Sequence, residues 1–188
     1  MSLEIRDADL ADPTDASAIV AIVNAYALDP FGGEAPLPPD VQARLVDGLR
    51  AHPTTLVLLA FADGGAVGVA VCFFGFSTFR ARPLLNVHDL AVLASHRGRG
   101  IGRALLAAAE VRARARGCCK ITLEVLETNQ RARALYASCG IFDVGGAGAT
   151  STRFLAKPLG SIDEPLGSID EPLGSIEEPL GSISEART

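Results

Sequence analysis

Two periods of hydrophobicity alternate along the chain. Short runs rich in Val, Ile, Leu and Phe read as strands, and stretches with apolar residues every three or four positions read as helices. LEIRDA (3–8) reads as a first strand. Residues 14–28 read as a helix with Ile19, Ile22, Val23 and Tyr26 on one side and Thr14 or Asp15 as its cap. A loop rich in Pro and Gly (29–40) leads to a second helix from Asp40 to Ala51. TTLVLLAFA (54–62) and AVGVAVCFFGF (66–76), joined at Asp63-Gly64-Gly65, read as a hairpin of two buried strands. LLNVHDLAVL (84–93) is a fourth strand. Beyond the loop ASHRGRG an amphipathic helix covers 101–116 and closes at Gly117. CKITLEVL (119–126) is a fifth strand, and Thr128–Cys139 is a shorter helix ended by Gly140. Residues 142–146 and 151–157 supply the last strands. The pattern predicts an α/β fold, its early strands mostly antiparallel, with one βαβ unit near the middle.

This domain is expected to occupy 1–157. After it the sequence repeats PLGSIDE, PLGSIDE, PLGSIEE, PLGSISE over 158–185. Each copy holds a Pro and a Gly, which break a helix, so the seven-residue period does not predict a coiled coil. Residues 158–188 are expected to form a disordered acidic tail, with a linear motif displayed four times as the functional alternative. The formal charge of -5 divides accordingly: the tail holds seven acids and one base, and the remainder is close to neutral at +1. A neutral body gives no electrostatic basis for a nucleic-acid groove. No apolar run approaches the ~20 residues of a membrane helix, and the start lacks the basic-then-apolar pattern of a leader, so a cytoplasmic protein is expected. The four cysteines form no metal-ligand or disulfide pattern and read as core thiols, with no metal expected.

The chemistry concentrates in Arg97-Gly98-Arg99-Gly100-Ile101-Gly102-Arg103, between a strand and a helix. Glycines there let successive N–H groups point one way at a helix N-terminus, which makes an anion site suited to phosphate. A Walker loop would end in Gly-Lys-Ser/Thr, and a dinucleotide fingerprint would read G-x-G-x-x-G; neither is present. On the fourth strand, regular alternation puts Asn86, His88, Leu90 and Val92 on one face and Asp89 on the other. Imidazole titrates close to neutral pH, which makes His88 a candidate base, with a purely structural histidine as the alternative.

Arg97-x-x-Gly100-x-Gly102, the strand HDLAVL before it and Asn129-x-x-Ala132-x-x-Leu135-Tyr136-x-x-x-Gly140 after it resemble the conserved blocks of the GNAT N-acetyltransferase superfamily. The small-amine acetyltransferases of the spermidine/spermine type are the subgroup most similar in appearance. The resemblance implies a mixed, mostly antiparallel sheet with helices on both faces and a V-shaped splay between the fourth and fifth strands, opened at a bulge in the fourth. It implies acetyl-CoA as cosubstrate and a primary amine, on a small molecule, as acceptor; dimers are common in the family. Amides of Gly98, Arg99, Gly100, Ile101, Gly102 and Arg103, with Arg97, would hold the diphosphate, and Leu90, Ala91 and Val92 would pair with the pantetheine arm. Asn129 would contact that arm, and Tyr136 would protonate the departing thiolate; packing in the core is the plain alternative for Tyr136. In the similar subgroup a glutamate stands where this chain has His88. The acceptor is expected between the loop 29–40 and the link 76–83, whose Arg80 and Arg82 favour an amine bearing a carboxylate. Phe73, Phe74, Phe76 and Phe79 are candidates for its wall. A non-catalytic acetyl-CoA sensor and a tail-mediated interaction protein are the competing functions.

Overall fold

The computed structural model describes residues 2–144 and 152–159. Seven strands form one sheet: β1 (Glu4–Asp7), β2 (Thr55–Ala62), β3 (Gly65–Ser77), β4 (Arg82–Val92), β5 (Lys120–Leu126), β6 (Phe142–Asp143) and β7 (Thr152–Pro158), in the order β1-β2-β3-β4-β5-β7-β6. All neighbours are antiparallel except β4 and β5. That parallel pair needs a crossover, supplied by helix α3 (Ile101–Ala115). Helices α1 (Pro13–Ala27) and α2 (Pro39–Ala51) cover one face, and α3 and α4 (Gln130–Ser138) the other. The helices and strands expected from the periodicity are therefore all present, with ends shifted by a few residues.

Two apolar layers sandwich the sheet. Ile101, Leu105 and Ala109, spaced by four along α3, pack with Leu58, Ala70, Leu85, Ile121 and Leu123. On the opposite face Ile19, Ile22, Val46 and Leu49 meet Val57, Leu59, Val69, Val71 and Ala91. Gly68 lets α3 approach closely, since a Cβ there would lie 3.2 Å from both the Ala91 carbonyl and a Leu105 methyl.

Helix α1 begins one turn-signal earlier than expected. Asp12 caps it, accepting from the N–H groups of Thr14 (2.6 Å) and Asp15 (3.1 Å), while Pro13 takes the first helical position. Asp15 is buried instead, accepting from Arg6 through two bonds of 2.6 and 2.7 Å and from the Asp9 N–H at 2.9 Å. The Arg6 hydrogen bond holds its carboxyl below the usual carboxylate range.

Packing continues slightly past the expected end at Lys157. Leu159 is buried, its N–H donates to the Cys119 carbonyl, and its own carbonyl accepts from Arg114. The rest of the expected tail, and residues 145–151, lie outside the described residues.

Candidate active site

The site originates in an irregularity of β4. Cys72 of β3 pairs with Val87, yet the next residue, Val71, pairs with Asp89, so His88 is an extra residue that bulges from the ladder. A bulge reverses the side-chain phase. Leu85 and Val87 before it and Leu90 and Val92 after it all pack on the α3 layer, while Ala91 belongs to the other. This corrects the expected alternation: Asn86, between Leu85 and Val87, faces the α1 side and does not share the face of Leu90 and Val92, whereas Asp89 does lie opposite those two. Asp89 pairs in register with Val71 of the α1 layer and lies close enough to His88 for their charges to interact. Burial pushes the Asp89 carboxyl upward, opposed by His88.

The same bulge opens the sheet. The β4–β5 pairing covers Leu85–Val87 against Ile121–Leu123 and stops there. Past that point Leu93 donates to the Val67 carbonyl, across from the Val92–Gly68 pair. By the alternation of an antiparallel ladder, the N–H and C=O groups of Ala91 therefore face β3, and those of Leu90 and Val92 face the gap. The expected pairing segment thus narrows to two residues. The Val92 carbonyl already accepts from Arg97 Nε at 2.9 Å.

Above the gap, Gly98 and Gly100 take left-handed conformations (φ 76° and 80°), and Gly100 caps α3 without any side-chain bond. The first N–H groups of α3 thus lack an internal acceptor and carry the positive end of the helix dipole. A Cβ at either glycine would meet nothing within 4 Å, so the turn is open to a ligand. A Cβ at Gly102 would lie 3.0 Å from a Leu135 methyl, so that glycine sets the close approach of α3 and α4.

Helix α4 forms the far wall. Asn129 caps it, its side-chain oxygen accepting from the Ala132 N–H at 3.1 Å, and so stands just outside the helix expected to contain it. Tyr136 is buried, and burial pushes its phenol up to about 12, with Tyr26 adding to the effect. Tyr26 ends α1 against the same cavity; burial, Asp89 and Asp29 raise its own phenol. Asp29 follows, accepting from the Phe31 N–H and from Arg97 at 2.9 Å; these, with Arg131 nearby, hold its carboxyl low.

The resulting cavity, of about 430 Å³, is within the range of small-molecule sites. Its walls bring together His88, Leu90, Ala91, Val92, Arg97, Gly98, Gly100, Ile101, Gly102, Arg103, Asn129 and Tyr136, every expected site residue except Arg99. The Arg99 guanidinium bonds Asp63 at 3.1 Å. Arg97 straps β4 to the α1–α2 loop, and Arg103 bonds the Ser138 carbonyl and hydroxyl, so these side chains organise the turn as well as charging it. His96 lines the cavity with its Nε2 3.5 Å from Asp63.

The link 76–83 contributes nothing to these walls, nor do Phe73, Phe74, Phe76 and Phe79. Arg82 is six residues before His88, about 20 Å along an extended strand, at the other end of β4. Phe73 packs against His88, ring centroids 5.7 Å apart, and Phe74 lies beneath Arg116. Tyr26, Phe31, Glu124 and Arg131 line the cavity as well. Of these, Glu124 was visible as a polar residue in an apolar strand, and Tyr26 as a polar ring on the buried side of a helix. None of the four cysteines is among the walls.

Comparison with known proteins agrees with this geometry. Residues 19–141 match the model of the acetyltransferase (GNAT) family. The chain is 31% identical over 136 residues to YhfO, an uncharacterized N-acetyltransferase of Bacillus subtilis, covering 69% of this chain and 85% of that protein. It is 41% identical over 83 residues to an uncharacterized N-acetyltransferase of Archaeoglobus fulgidus, covering 44% and 56%, and 33% identical over 78 residues to thialysine N-epsilon-acetyltransferase of Bos taurus, covering 42% and 45%. The chain thus spans about half the length of these last two relatives. A GNAT acetyltransferase of Streptococcus pneumoniae superposes with a TM-score of 0.65 at 25% identity, covering 85% of this chain and all of that one. The protein yncA of Salmonella typhimurium, solved with acetyl-CoA, does so at 0.65 and 22% identity, covering 89% and 100%. With the glycine turn, the splayed strands and the Asn129–Tyr136 helix in the order its pattern requires, the chain belongs to the acetyltransferase (GNAT) family.

Proposed function

We propose that this chain transfers acetyl from acetyl-CoA to a primary amine on a small metabolite, by direct attack of the amine. One observation carries the reading: a left-handed glycine turn, opening an uncapped helix, stands at the mouth of a strand gap whose far wall holds a buried tyrosine. These residues fit the cosubstrate. Free amides at the head of α3 suit its diphosphate, and the gap-facing backbone of Leu90 and Val92 suits the amides of its arm. When bound, it supplies an activated thioester carbonyl.

The chain's own groups then divide the work. His88 and Glu124 line the cavity from the two strands that part, and either can take the amine proton. Tyr136 keeps its proton at neutral pH, because burial holds the phenol near 12. It is a weaker acid than an ordinary thiol, which ionises near ~8.5. Its main contribution is therefore a hydrogen bond to the sulfur as negative charge develops there, worth ~1.5–3 kcal/mol. Arg97 keeps Asp29 and Val92 in place, so the acceptor loop and the cosubstrate edge move as one unit.

The test is free-thiol release by the purified chain from acetyl-CoA across a panel of amines, with the products weighed. Amine-dependent release and a gain of one acetyl group are expected. Release no faster than hydrolysis with every amine would refute the reading.

A further inference from the structure

Helices α1 and α2 cover only part of their face of the sheet, packing over β2, β3 and the end of β4. Toward the β6 edge Thr122 and Ala156 of the same face are buried, but Glu124, Phe154, Phe142 and Val144 are exposed, and the registers are continuous. Asn86, Thr122, Ala156 and Phe142 form one row across four strands. Glu124 and Phe154 pair in the next row, where Val144 donates its N–H to the Phe154 carbonyl. Paired residues point to the same side of a sheet, and successive ones to opposite sides. Leu123, Val125 and Leu155 fill the α3 layer, so Glu124, Phe154 and the Phe142 row face away from it.

This surface is polar at one end and apolar at the other. Phe142 and Val144 are each 58% exposed and Phe154 41%, three of the seven large exposed apolar residues among the described residues. Glu124 is a wall of the catalytic cavity, so the surface continues directly from the reaction centre. The other charged groups of β6 and β7 turn elsewhere: Arg153 pairs with Glu127 and Asp143, and Lys157 reaches Glu110 of α3. Lys120 shares the Glu124 face but stands four residues away, about 13 Å down the strand. From Glu124 the apolar shelf extends two strand spacings, about 10 Å.

We propose that the acceptor is a primary amine with an uncharged apolar body, an arylalkyl or alkyl amine. Its nitrogen meets Glu124 and its body lies on Phe154 and Val144. The inference rests on the acetyl-transfer reading above. In the reaction the nitrogen–carbon bond forms as the carbon–sulfur bond breaks, a proton leaves the nitrogen for Glu124 or His88, and the thiolate takes one up as free thiol. The apolar shelf replaces the carboxylated acceptor expected from Arg80 and Arg82, neither of which lines the cavity.

The experiment compares kcat/KM of the full chain for 2-phenylethylamine with that for phenylalanine, which adds only a carboxylate, and for ethanolamine and spermidine. The expected result is a preference of at least about tenfold for 2-phenylethylamine, over ethanolamine on the scale set by burying one ring and over phenylalanine because its carboxylate would lie beside that of Glu124. Phe154→Asp should raise KM for that amine about tenfold without moving KM for acetyl-CoA, and Phe154→Leu should recover most of the loss. Preference for the carboxylated, hydroxylated or polycationic amine overturns the inference and leaves acetyl transfer standing. So does an unchanged KM in Phe154→Asp, and a smaller sedimenting species in that variant would make the shelf a contact between copies. Thiol release with no amine at all overturns the transfer reading and the inference with it.

Discussion

Gly100→Val isolates the anion turn, because the structure separates conformational strain from steric collision there. A Cβ at Gly100 meets no atom within 4 Å, so the side chain itself has room. The backbone does not: at φ 80° an L-residue costs ~1–2 kcal/mol, and a β-branched one more. The turn relieves this strain by rotating, since no side chain caps α3 at Gly100. Rotation turns two or more amides away from the diphosphate. Hydrogen bonds to a charged group contribute ~1.5–3 kcal/mol each. Losing two costs at least ~3 kcal/mol, a ~100-fold or larger rise in Kd. Titration calorimetry with CoA measures it directly. Gly102→Ala is the control, because its Cβ presses only the end of the Leu135 side chain, which can shift, and its Kd should stay within about threefold. Gly100→Val binding CoA as tightly as the parent chain, with an unchanged melting temperature, would refute the reasoning.

Tyr136→Phe should lower kcat by ~10–100-fold with little change in KM for acetyl-CoA, matching one hydrogen bond to a charged sulfur; steady-state kinetics checks it. Arg97→Ala frees both Asp29 and the Val92 carbonyl, and should raise KM for acetyl-CoA and for the amine together, about tenfold each. Asp15→Ala leaves the Asp9 N–H and Arg6 without their acceptor and should cost ~3 kcal/mol, lowering Tm by roughly 6–12 °C in calorimetry. Because Arg6 depresses the folded-state pKa of Asp15, its stabilisation is complete above the unfolded value of ~3.9 and is lost as pH falls through the lower folded value. Acid unfolding of Asp15→Asn should accordingly show a shallower loss of stability over that range than the parent chain.

Most of the fold was legible because each element carries its own period and punctuation. The Asp63-Gly64 turn, Gly117 and Gly140 mark ends that the structure keeps. The glycine turn and the Asn129–Tyr136 spacing were legible for the same reason, being local patterns. A bulge in β4 is what the family resemblance implies, but its place at His88 was not legible, since one extra residue within an apolar strand brings no Gly or Pro to announce it. That single insertion reverses the phase of β4, which is why alternation put Asn86 on the face of Leu90 and Val92 when it lies on the other. The partners of Arg97, Arg99 and Arg103 were equally hidden, for Asp29, Asp63 and Ser138 are between 35 and 68 residues distant in sequence. The link 76–83 was misassigned because its composition suggested a binding wall while strand length carries it to the far end of β4.

Chemical-shift mapping of backbone amides as CoA is added to the labelled chain tests the central claim most directly. The amides of Leu90, Val92 and 98–103 should move, and the Ala91 amide between the two strand positions should stay still, because it is bonded to β3. Shifts confined to other surfaces, or an Ala91 amide that moves while its neighbours do not, would contradict the account.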